Sequence, residues 1–146
     1  MADETTPNPE TTRAFYEALY PLSLRLNAKR TLSPGKLGVL RHLAQFSRST
    51  TTELANIVQV SQQAISLAVK ELEHLGFVAR VPDAEDRRRA WIELTPQGEK
   101  KLNQELAAGH EWLDQAIAER LTPTERATLA AAIPALQKLG LESLHE

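Results

Sequence analysis

At Gly76 the apolar spacing of this chain changes period, and that change restricts the fold more than any other feature of its 146 residues. Before it, Ile65, Ala68/Val69, Leu72 and Leu75 recur at helical steps and share one face. After it come two short runs rich in aromatic and β-branched residues, FVARV at 77–81 and AWIEL at 90–94, joined by a polar stretch that starts at Pro82. Such runs predict a β-hairpin with a long loop. From Thr95 the helical period returns, with Leu102, Leu106, Gly109, Leu113, Ala116/Ile117 and Leu121 forming a long stripe.

Punctuation agrees with this division. Ser33-Pro34, Thr95-Pro96 and Thr122-Pro123 each place a hydroxyl at an N-cap and proline at the first helical position, where its missing N–H costs nothing. Thr122 with Glu125, and Thr50 with Glu53, form capping boxes. Leu37, Leu40 and Leu43/Ala44 mark one helix, and Leu54, Ala55 and Val58 a short second one. Apolar stripes also run through the ends of the chain, Phe15, Leu19, Leu22 and Leu26 in one and Leu129, Ile133, Leu136 and Leu139/Gly140 in the other. Pro21 and Pro134 interrupt these end patterns and predict kinks or helix boundaries there. Residues 1–10 are expected to be a disordered tail and residues 11–146 a single domain.

Absence of cysteine removes disulfides, thiolate catalysis and a thiol switch. The acidic, polar start is unlike a secretory signal, and no apolar run reaches the length of a membrane span, so a cytoplasmic protein without a membrane partner is expected. His42, His74, His110 and His145 lack metal-ligand spacing, and neither a phosphate loop nor a serine elbow is present. No enzyme, metal or cofactor is expected. A metal-sensing variant would need His42 and His110 to converge with acids.

Net charge is only −2, yet residues 21–52 carry Arg25, Lys29, Arg30, Lys36, Arg41 and Arg48 without a single acid. One positive face for a polyanion is compatible with that segregation. Helix, short helix, tight turn VQVSQ, helix and hairpin form the order of a winged helix-turn-helix. With Ile65, Val69 and Leu72 committed to the core, Gln62, Gln63, Ser66 and Lys70 point outward from a recognition helix at 62–75. Glutamine can pair with adenine in the major groove, serine is permissive, and Lys70 suits a phosphate.

The stretch from Val60 to Gly98 resembles the MarR family of bacterial winged-helix transcriptional regulators. The matching residues are Leu54-Ala55, Val60-Ser61, Ile65-Ser66, Leu72-Glu73-x-x-Gly76, Asp86-Arg87-Arg88 and Leu94-Thr95-Pro96-x-Gly98. The resemblance implies a mainly α fold with a small hairpin wing, a DNA-binding lobe at 33–95, and a helical dimerisation region at 11–32 and 96–146. It implies a wing at 82–89 whose Arg88 enters the minor groove, with Asp86 orienting it and Arg87 and Arg89 reaching phosphates. It also implies a homodimeric regulator, a repressor by expectation, on a pseudo-palindromic operator, released by a small aromatic or anionic effector. Candidates for the effector pocket are Phe15, Tyr16, Tyr20, His42 and Trp112, each of which has a plainer reading as core or surface. The end stripes could pack within one subunit, and the wing could be a mixed-charge turn. The rival function is a winged-helix module that binds protein, suggested by Glu71 and Glu73 on the recognition helix.

Overall fold

The computed structural model describes residues 6–140 and divides the chain at Gly109 into two compact units. The first holds helices α1 (Pro9–Asn27), α2 (Pro34–Phe46), α3 (Thr51–Val58) and α4 (Gln62–His74), strands β1 (Arg48–Ser49), β2 (Val78–Pro82) and β3 (Ala90–Leu94), and the start of α5 (Pro96–Arg120). The second holds the end of α5 and α6 (Pro123–Leu139).

The caps explain the helix starts. Ser33, Thr50, Ser61 and Thr122 each accept a backbone N–H three residues on, and Thr50–Glu53 and Thr122–Glu125 are reciprocal boxes. At the first helix Asn8 caps Glu10 with Pro9 at the opening position. Pro9 and Glu10 are therefore helical, a correction to the expected tail at 1–10, whose residues 1–5 lie outside the described residues. Neither Pro21 nor Pro134 ends its helix. Both sit on exposed stretches, where water can take the carbonyl that proline leaves without a donor.

Leu37, Leu40 and Leu43 of α2, Leu54 of α3, and Ile65, Val69 and Leu72 of α4 form the core, closed by Val78, Ile92 and Leu102 from the strands and α5. The sheet has three strands in the order β1-β3-β2, all antiparallel, where the sequence predicts only the hairpin. A two-residue strand has no alternation to reveal it. What holds β1 is the register Ser49 opposite Ile92 and a 2.8 Å bond between the buried Ser49 Oγ and His42 Nε2. Pro82 ends the edge strand β2, a place where its missing donor breaks no ladder.

Three contacts clamp the hairpin base onto α5 and account for the Leu-Thr-Pro-x-Gly run. Thr95 N donates to Phe77 O at 3.1 Å, Thr95 Oγ1 donates to Gly76 O at 2.6 Å, and Gly98 N donates to Thr95 Oγ1 at 3.0 Å. Gly76 has φ +81°, which glycine adopts without a Cβ penalty. A Cβ on Gly98 would stand 2.0 Å from Phe77 O, so only glycine fits.

A second clasp was not foreseen from the sequence. Glu105 on α5 is 4% exposed and accepts the backbone N–H groups of Thr31 and Leu32, the Thr31 hydroxyl, and Lys101 at 3.2 Å. Burial alone would raise its pKa. The hydrogen bonds from Thr31, Leu32 and Lys101 outweigh that and hold it below the usual carboxylate range. Glu105 thus fastens the α1–α2 connection to α5.

In the second unit, the Arg126 guanidinium donates to Ala118 O at 2.7 Å across the turn between α5 and α6. Leu129, Ile133, Leu136 and Leu139 of α6 are exposed, and α6 buries none of its residues.

Candidate nucleic-acid interface

Helix α4 follows a turn in which Gln59 takes the left-handed conformation, φ 58°, and closes α3. Ser61 Oγ then accepts Ala64 N at 3.1 Å and starts α4. With Ile65, Val69 and Leu72 fully buried, the opposite face carries Gln62, Gln63, Ser66, Leu67 and Lys70 along one open depression of about 290 Å³. All four residues expected on this helix are therefore brought together, and Leu67 joins them. Gln62 is not free: its Nε2 donates to Thr51 Oγ1 at 3.2 Å, which fixes its amide against the start of α3. Gln63 and Lys70 are exposed.

The late carboxylates of α4 are paired. Lys36 of α2 bonds Glu71, and Arg80 of β2 holds Glu73 at 3.0 Å. Acidic charge on the helix is thereby compensated from neighbouring elements. Surface pairs of this kind add little stability, about 0–1 kcal/mol each, so their effect is on the field rather than on the fold. The six basic residues of 21–52 do not all stand free as one set: Lys36 is engaged with Glu71, and Arg30 Nε is buried without a partner while another nitrogen of the group bonds Asn27.

The wing tip is folded by its own acids. Asp86 Oδ1 accepts Arg88 N at 3.0 Å, Asp83 Oδ1 accepts Glu85 N at 3.4 Å, Arg89 N donates to Asp86 O, and Asp83 N donates to Arg89 O. These are Asx-type turns, so Asp83 and Asp86 shape the loop as well as balancing its charge. The Arg88 side chain is 96% exposed, with Nε 3.7 Å from Asp86 Oδ1. Arg87 is exposed with no partner among the described residues. Arg89 lies over the Trp91 ring at 5.1 Å, and Arg48 lies over the same ring at 4.4 Å. Trp91 thus sets the direction of two guanidinium groups; an indole two residues after a run of three arginines is the signal the sequence offers for it. Asp86, Arg88 and Arg89 share a polar cleft of about 390 Å³ with Thr50, Thr51, Thr52 and Glu53 at the start of α3.

Of the expected effector residues, His42 borders a cavity. It lines an open hollow of about 610 Å³ with Gly38, Arg41, Phe46, Ile57, Leu102 and Leu106. His42 stacks on Phe46 with centroids 4.6 Å apart. Burial, opposed by the Glu53 carboxylate, holds its pKa below the usual imidazole value. Phe15, Tyr16 and Tyr20 are exposed on α1 and border none of this hollow, and Trp112 belongs to the other unit. Among the described residues no three His, Asp or Glu side chains are grouped to hold a metal, and no helix is long and apolar enough to cross a membrane.

Helix-turn-helix plus a β-hairpin with an arginine tip defines a winged-helix transcriptional regulator, and comparison with known proteins supports that class. The MarR family sequence profile matches residues 31–89. The Bacillus subtilis transcriptional repressor YetL is 34% identical over 77% of this chain and 72% of its own length. The B. subtilis repressor MdtR is 28% identical over 65% of this chain, and the match spans only 61% of that protein. A regulator protein from Pseudomonas aeruginosa shares the fold with a TM-score of 0.79, at 27% identity over 92% of this chain and 96% of its own. This chain belongs to the MarR family.

Proposed function

We propose that this protein is a homodimeric, sequence-specific regulator of transcription that binds a pseudo-palindromic operator in double-stranded DNA. Helix 62–75 reads the major groove and wing 82–89 enters the flanking minor groove. The observation that carries the reading is the outward strip of α4, where Gln63, Ser66 and Lys70 stand exposed or half-exposed while Glu71 and Glu73 are neutralised from α2 and β2. That pairing removes the repulsion that favours a protein-binding module. Gln63 makes the base contact, Gln62 is held by Thr51, and Lys70 meets a phosphate. Arg88 is the minor-groove probe on a loop set by Asp86, because a narrow A·T groove concentrates negative potential. Arg87, Arg89 and Arg48 contact phosphates.

Exposed apolar side chains on α1, Phe15, Leu19 and Leu22, and on α6, Ile133 and Leu136, supply the surface for a second copy. Repression is the expected outcome, as in the names of the repressors MdtR and YetL. An anionic aromatic effector suits the hollow at His42, where Arg41 offers charge and Phe46 a ring face. The test is to incubate the protein with sheared DNA of its own genome at near-physiological salt and sequence what it retains. Recovery of an inverted repeat with half-site centres about 10 base pairs apart is expected. A folded dimer that enriches nothing overturns the reading.

A further inference from the structure

Resting on the DNA reading, we propose that Leu67 is a specificity residue, which reads the C5-methyl group of a thymine in each half-site. A lone exposed leucine is ordinary on a protein surface; its place is what singles this one out. Leu67 is 59% exposed on α4. At about 100° per residue it lies about 200° on from Ile65 and the same angle before Val69, which is straight away from the core. It is flanked by Gln63, Ser66 and Lys70 in the same shallow depression, so the most outward position of the reading strip is apolar within a polar and cationic rim.

One side chain in such a rim is far too small for a protein-docking face, which needs about 1,000 Å² or more. It has the size of a single base-edge contact. In the major groove the one apolar group a base presents is the thymine methyl. Leu67 follows Gln63 by one helical turn, about 6 Å along the axis, while base pairs advance about 3.4 Å. The thymine therefore lies one or two base pairs from the pair that Gln63 reads.

The experiment uses the full chain and a duplex bearing the inverted repeat selected by wild type from a random-sequence library. Each thymine is replaced in turn by deoxyuridine, which lacks only the methyl group. For wild type, one replacement per half-site is expected to weaken binding about four-fold, the change one buried methyl supports. Leu67→Ala is expected to bind thymine and uracil duplexes equally. Wild type indifferent to every replacement, or Leu67→Ala with an undiminished uracil penalty, overturns the inference while leaving the DNA reading intact. If wild type selects no sequence from the library, both fall together. Because Leu67 is 59% exposed on the face of α4 turned away from the core, circular dichroism of Leu67→Ala should match wild type, which separates lost reading from lost fold.

Discussion

Gly98 shows how little freedom single positions have where the wing meets α5. A methyl at that position would stand 2.0 Å from Phe77 O, a backbone atom that cannot swing away. Gly98→Ala should cost at least about 3 kcal/mol, read as a lower urea midpoint; an unchanged midpoint would mean that the clamp is not built as described. Glu105 is constrained by chemistry instead. Replacing it with alanine strands the N–H groups of Thr31 and Leu32 and should cost about 2–4 kcal/mol. Since its folded pKa is lowered, its contribution is complete above the ordinary carboxylate range and is lost as pH falls through the folded value. The stability gap between wild type and Glu105→Ala should therefore narrow as denaturation is repeated from pH 7 down to about pH 3. A gap that stays constant would rule out an ionised Glu105 as the clasp. Gly98 could be noticed in the sequence as part of a motif, but its reason lies in a carbonyl twenty-one positions earlier in the chain. For Glu105 the one local partner is Lys101, four positions earlier; the N–H groups that it accepts lie on the connection after α1.

At the scale of elements, helix starts were legible because a cap is a local event: Ser33, Ser61 and Thr122 act on N–H groups three residues away. Strand β1 was not, because it exists only through Ile92 and Glu93 on β3 and through His42 on α2. The outward residues of α4 could be named from the burial period alone, whereas the neutralisation of Glu71 and Glu73 depends on Lys36 and Arg80 from elsewhere. In the sequence the wing shows only arginines balanced by acids; its Asx turns and the packing of Arg48 and Arg89 on Trp91 exist only in the folded chain. That stacking gives a test. Trp91→Ala should free Arg48 and Arg89 and lower the slope of log K against log salt by about 1–2, the loss of one or two phosphate contacts. Trp91→Phe keeps a ring face and removes an indole N–H that is buried without a partner, so both slope and stability should hold. Equal slopes for wild type and Trp91→Ala would remove the two arginines from the phosphate contacts.

For the whole molecule the argument turns on charge and on unpaired apolar surface. A chain of net charge −2 binds a polyanion only if its cations are local, and here the exposed wing arginines and the compensated α4 supply that locality. In the proposed dimer the exposed leucine and isoleucine of α6 face a second copy, and Ile133→Glu with Leu136→Glu should then shift the protein from dimer to monomer in sedimentation velocity. A double variant that remains dimeric would place the interface elsewhere. The hollow at His42 was poorly legible, because Arg41, Ile57 and Leu102 meet only after three helices have packed. The central claim is that α4 and the wing grip neighbouring grooves, and hydroxyl-radical footprinting on the selected inverted repeat tests it most directly. Wild type should protect two half-sites one helical turn apart together with their flanking minor grooves, and Arg88→Ala should lose the flanking protection while keeping the half-sites. An Arg88→Ala footprint identical to that of wild type would contradict the account.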